Sequence, residues 1–373
     1  MDVNNVQCNL FKEENANMES SRNEIYSYSR VEKILYGEYI RYEHMQTMVS
    51  LEFPASTAEH VNVFIDLYDI IGRINKIAME DEYPVEVIAS GILNMIAHYK
   101  NYFWSRYQVT CDVIFVYGDT KTSNIHSEIP DYNETNEFEP CEVVNMALDR
   151  INLLIPYIPG AYIKYGYAES AVIIKNLLYH ELFAPYPSIV ISSSQYMYSL
   201  PGMTDRNMNE VVVFRNKYTK ANGRTAYSYN EINAVNAFVA ETRNIVCQVP
   251  IDPDIITLVM TLCGVPGRNI RSVKNVEQTL IMCSSMPIEI IDDIPEMYKF
   301  MTKYCQDKKW KFITEEEFTH RYLGLSLDVQ LQRYQADPNS MDFSFLQKLD
   351  NPDGIRYINA KYFPRYPLKF SSV

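Results

Sequence analysis

Val61-Asn-Val-Phe-Ile-Asp66-Leu-Tyr-Asp69-Ile-Ile-Gly-Arg73 is an apolar run that ends in an aspartate and passes directly into a helix start. A short apolar run of this kind fits a strand buried on both faces, and such strands belong to parallel sheets covered by helices. Asp66 stands at an N-cap position, where its carboxylate can accept from the free amides of a helix beginning near Tyr68. Further strands are predicted near 112–117, 188–193 and 210–215, with helices near 84–104, 142–155 and 169–182. Strands alternating with helical patterns predict an α/β fold with a doubly wound, mostly parallel sheet. After Val213 the pattern turns helical, with segments predicted near 229–243, 253–264, 275–284, 295–305, 314–323 and 326–335.

Composition narrows the function classes. At 373 residues and 47% hydrophobic content the chain can bury one large core or two ordinary ones. The net charge of −13 and pI near 5.0 disfavour nonspecific binding to polyanions. Seven scattered cysteines without a C-x-x-C pair read as reduced core residues in a cytoplasmic setting, and the dispersed histidines offer no zinc pattern. No glycine loop for a nucleotide phosphate and no nucleophile elbow occurs. His180 reads as a helix-surface or core histidine rather than a catalyst. Residues 1–22 are polar and lack the apolar stretch of a signal peptide or anchor, and no run reaches the length of a membrane span.

Five short segments, in order, resemble the flap endonuclease and 5′→3′ exonuclease superfamily over roughly residues 58–285. They are Val61 to Arg73, then Asp112-Val-Ile-Phe-Val-Tyr-Gly-Asp119, then Tyr167-Ala-Glu-Ser-Ala-Val-Ile-Ile174. Ile189-Val-Ile-Ser192-Ser-Ser-Gln-Tyr-Met-Tyr-Ser-Leu200 follows, and then Ile255 to Val273 with Gly264-Val-Pro-Gly-Arg268-Asn269-Ile270. The resemblance implies a PIN-like core followed by a helix–three-turn–helix. The organisation it suggests is a polar, helical N-terminal extension 1–55, a nuclease-fold domain 56–215, a helix–three-turn–helix region 216–290 and a helical C-terminal extension 291–373.

The family's chemistry is two-metal phosphodiester hydrolysis, in which several carboxylates hold two hard cations. Asp66 keeps the first of those positions. Where the resemblance places the other carboxylates, the sequence has Val116, Ala168, Ser170, Ala171, Ser194, Tyr196, Val265 and Arg268. Asp69, Asp119 and Glu169 survive as vestigial carboxylates beside Asp66; Glu169 is one residue out of phase, which on a helix is a rotation of about 100°. Asp119 also reads as a turn residue beside Gly118, and Glu169 as a capping or solvated residue.

The substrate-handling segments depart in the same direction. From Asp119 to Asp149 the sequence holds eight acidic residues against Lys121 alone, where the family has a basic arch, so this segment would repel nucleic acid. In the helix–three-turn–helix, Asn275-Val276-Glu277 replaces a glycine turn that lets amides approach a phosphate, and Arg268, Arg271 and Lys274 remain as possible DNA contacts. The segment Tyr357 to Phe370 interleaves aromatics with Lys361, Arg365 and Lys369, which suits a strap over the body with its cations turned outward.

The sequence therefore predicts a pseudonuclease without catalytic residues, metal or other cofactor, acting as a binding or scaffolding subunit in a nucleoprotein or viral assembly. Its expected partners are other proteins, with nucleic acid contacted weakly or indirectly and no membrane. The alternative is a diverged 5′-nuclease using magnesium or manganese at Asp66, Asp69, Asp119 and Glu169. A second alternative is an inert DNA-junction binder.

Overall fold

The computed structural model describes residues 59–80, 85–118, 129, 140–180, 182–183, 185–192, 194, 197, 200, 211–221, 224–231, 255–265 and 270–336. Asp119, Tyr196, Arg268, the extension 1–55 and the tail from 337 onward lie outside the described residues.

The first strand, β1 (His60–Asp66), is buried along its length after His60 and leads directly into α1 (Leu67–Glu80). There follow α2 (Val85–Tyr107), β2 (Thr110–Gly118), α3 (Glu142–Leu154), β3 (Ala161–Gly166), α4 (Ser170–Leu178), β4 (Ser188–Ile191), β5 (Val212–Ala221) and β6 (Arg224–Glu231). The strands lie in the order β3-β2-β1-β4-β5-β6. All neighbours are parallel except β5 and β6, which form an antiparallel hairpin. This is an α/β, doubly wound, mostly parallel sheet with flanking helices.

Alternation along β1 sends its side chains to two different cores. Val61, Val63 and Ile65 join α1, α2 and α3, with Ile71, Ile92, Phe103 and Ile151 among the buried members. Phe64 faces the other side, with Ile114, Val116, Tyr162 and Val190. Asn62 is fully buried, and its Nδ2 donates to Phe183 O at 2.7 Å and Tyr186 O at 3.3 Å, tying the loop after α4 to β1.

The second core also takes in the helices that follow the sheet: α5 (Ile256–Cys263), α6 (Val276–Ser284), α7 (Ile294–Asp307), α8 (Glu315–Leu325) and α9 (Leu327–Ala336). Between α5 and α6 the chain turns at Gly264, φ 73°, and closes a bridge between Val265 and Ile270. The α9 helix lies against α4, where Asp328 forms an ion pair with Lys175, and Tyr334 reaches Gly166 at the end of β3. Cys111, Cys141, Cys263, Cys283 and Cys305 are free thiols, and burial pushes Cys111 and Cys283 up to about 12, which keeps them unreactive.

Three expectations are corrected. The strand β3 was not predicted, because Lys164 interrupts its apolar pattern; the lysine is nonetheless 3% exposed. Residues 229–231, predicted to begin a helix, are paired in β6. The helix predicted over 169–182 ends at Leu178. No helix among the described residues is long and apolar enough to cross a membrane.

Candidate functional site

In an open parallel sheet, ligands gather outside the carboxyl ends of the strands where the strand order reverses. That point lies here between β1 and β4, and the two chain ends that flank it are Asp66 and Ser192. Asp66 is 3% exposed and Ser192 is 2% exposed. The Ser192 hydroxyl donates to Asp66 Oδ2 at 2.6 Å and accepts from Ser194 N at 3.0 Å. Asp66 Oδ1 accepts from Asp69 N at 3.4 Å, so Asp66 also caps α1.

A second hydroxyl comes from the start of α4. Ser170, 5% exposed, hydrogen-bonds Asp66 through its side chain, and its Oγ accepts from Gly118 N at 3.2 Å. The close approach depends on Gly118, since a Cβ there would lie 2.3 Å from Ala168 O and 2.5 Å from Ser170 N. Burial and the neighbouring Asp69 push the Asp66 carboxyl up to about 6, against the lowering effect of the two serine hydroxyls and the Asp69 amide.

The structure thus brings together Asp66, Asp69, Ser170 and Ser192. Glu169 is 3% exposed at the N-cap of α4, where its side chain makes no capping bond, and its carbonyl accepts from Val172 N and Ile173 N. Val116 pairs in register with Asp66 and is fully buried in the second core. Ala168, Ala171 and Val265 are buried in the same core, at 4%, 1% and 2% exposure. Ser194 contributes its backbone amide.

Ser192 was not singled out from the sequence, because the resemblance directs attention to Ser194 and Tyr196. The available signal was its place as the first hydroxyl after Ile189-Val-Ile191.

Of the cations in the turn between α5 and α6, Lys274 is held by the fold and Arg271 is exposed. Lys274 Nζ lies 5.3 Å from the centroid of the Trp310 ring and donates to Lys311 O at 2.5 Å. Arg271 is exposed, and its carbonyl accepts from Arg321 Nη1 at 2.7 Å.

A pair of hard cations needs several carboxylate oxygens free to converge on them. Among the described residues no group of three or more His, Cys, Asp or Glu side chains is placed to hold a metal ion. Both oxygens of Asp66 take hydrogens from hydroxyls or an amide. The donor set of the described residues does not fit a two-cation centre.

Fold and site together define an α/β protein with a mostly parallel, doubly wound sheet whose switch point carries a buried carboxyl bonded by a serine hydroxyl. The chain matches no family model and no curated protein. Among solved structures it is similar to a bacteriophage T5 flap endonuclease in a pseudo-enzyme–product complex with DNA and metal ions, at 13% identity and TM-score 0.46, covering 81% of this chain and 99% of that one. It is similar to a T5 protein co-crystallised with metal ions at 12% identity and TM-score 0.47, covering 82% and 98%. It is also similar to the catalytic core of Rad2 in complex with DNA substrate, at 11% identity and TM-score 0.43, covering 82% and 90%.

Proposed function

We propose that this chain is a nuclease-fold protein that does not hydrolyse phosphodiesters through a cation pair and that works as a binding subunit. The observation that carries the proposal is that both oxygens of buried Asp66, which a cation would need, already accept hydrogens, Oδ2 from the Ser192 hydroxyl and Oδ1 from the Asp69 amide. The burial of Val116, Ala168, Ala171 and Val265 in the core supports it, because a carboxylate at any of these places would cost the packing now there. The acidic balance of −13 favours protein partners over general attraction to nucleic acid.

The test is cleavage of a 5′-flap DNA with magnesium or manganese by the wild type and by Asp66→Ala. No cleavage by either is expected. Cleavage by the wild type that disappears in Asp66→Ala would instead establish a remodelled nuclease anchored on Asp66 and Asp69.

A further inference from the structure

One stripe of α3 alternates acidic and apolar side chains, Glu142, Met146, Asp149 and Leu153, and all four are exposed. Their spacing places them within about 60° of one another around the helix. Met146 is 50% exposed and Leu153 69%. Tyr165, at the end of β3, extends the stripe. Its hydroxyl is hydrogen-bonded to the Asn152 side chain and feels the charge of Asp149, and its ring meets Tyr117 at a centroid distance of 5.6 Å. Tyr165 is 36% exposed, and Tyr167, two residues on, is 46% exposed.

A single exposed apolar side chain is ordinary on a protein surface. Here two apolar side chains, two carboxylates and the Tyr165 ring share one face. Glu142 also suits the positive end of the α3 dipole, but that effect ends within the first turn and does not account for Asp149, two turns further on. Among the described residues neither carboxylate takes part in an ion pair. The face suits an extended segment that alternates cations with aromatic or apolar side chains.

This chain carries such a segment. Between Tyr357 and Phe370, Lys361, Arg365 and Lys369 stand four residues apart with aromatics and prolines between them, and residues 355–373 contain no acidic residue. Pro364 and Pro367 restrict φ to about −65°, which favours the polyproline form, in which cations four residues apart stand about 12 Å apart. Glu142 and Asp149 stand about 10 Å apart along α3, so two of the cations can meet both carboxylates. The described residues also end beside this face, because Tyr334 reaches Gly166, between Tyr165 and Tyr167, and α9 ends at Ala336. The roughly 20 residues from there to Tyr357 can extend about 65 Å, against about 25 Å across six strands. We propose that residues 357–370 of this same chain bind the exposed stripe of α3, with their cations on Glu142 and Asp149 and their aromatic side chains on Met146, Leu153 and Tyr165. A strap so placed turns onto α3 the cations that the sequence alone set facing outward.

The experiment uses the full chain. A mixture of unlabelled and isotope-labelled wild type is treated with a carbodiimide, which joins a lysine to a carboxylate in direct contact, and the links are read by mass spectrometry. Links from Lys361 or Lys369 to Glu142 or Asp149 within one chain are expected. Absence of these links overturns the proposal, and links only between labelled and unlabelled chains overturn it by assigning the stripe to a second copy. A second measurement is the rate of chymotryptic cleavage after Tyr357 and Tyr362 under native conditions, which follows the undocked population. E142K/D149K should raise that rate about five- to thirtyfold, and adding K361E/R365E/K369E to it should restore slow cleavage, with thermal melts checking that each variant folds. Equal rates in the wild type and E142K/D149K, or no recovery in the charge-swapped chain, overturn the proposal. Flap cleavage would contradict the non-hydrolysing reading and leave this inference standing, since it uses neither Asp66 nor a metal ion.

Discussion

At the scale of single residues, the chemistry turns on Asp66. A carboxyl pushed up to about 6 in the fold by burial and by Asp69, and ordinary when unfolded, binds its proton more tightly in the folded state. Stability therefore falls as pH rises through the window from about 4 to 6, by on the order of 2–3 kcal/mol, and is flat above it. Asp66→Asn removes that dependence. It should be more stable than the wild type near pH 7 and equal to it near pH 4, as read by urea unfolding at both. An equal effect at both pH values would contradict a burial penalty on the charged form of Asp66. Removing a donor acts the other way: Ser192→Ala leaves Asp66 Oδ2 without its hydroxyl, and should cost about 1–3 kcal/mol at neutral pH. It should also move the Asp66 titration above about 6 in an NMR pH series.

At the scale of elements, two glycines set the geometry. Gly118 lets the end of β2 touch the backbone before α4, and Gly264 takes φ 73° with Ile270 O 2.4 Å from where a Cβ would stand. Gly264→Ala should lower stability by about 1–3 kcal/mol through backbone strain and the forced shift, measured by chemical denaturation. It should leave the Asp66 titration unchanged, because the groups that set it are Asp69, Ser170 and Ser192. Much of the element pattern was legible: the apolar runs ending at Asp66, Gly118 and Ile191 each gave a strand of the parallel sheet. β3 escaped because a buried lysine and two tyrosines in Ala161-Tyr-Ile-Lys-Tyr-Gly166 broke the apolar run. Residues 229–231 were misread because the β5–β6 hairpin depends on pairing across the turn, which periodicity within one segment does not carry.

For the whole molecule, the second core joins the sheet to the C-terminal helices, with Phe64 and Val190 in the same cluster as Phe318 and Leu325. The chain has two tryptophans, Trp104 on α2, which packs in the first core, and Trp310 beside the second. Single-tryptophan variants should report coincident melts, and Phe318→Ala should lower both together, by about 3–5 kcal/mol. Separate transitions would divide the chain at the helical extension. The mostly parallel α/β fold was legible because three of its strands follow from local apolar runs. The candidate site was legible at Asp66, where β1 ends. Ser192 and Ser170 come to Asp66 from segments more than 100 residues away in sequence, and their hydrogen bonds follow from packing rather than spacing.

The most direct test of the serine-satisfied carboxyl is a calorimetric titration of manganese into the wild type and into S170D/S192D. Heat of binding is expected only from the variant, in which carboxylates replace the two hydroxyls around Asp66. Saturable binding to the wild type that is lost in Asp66→Ala would contradict it.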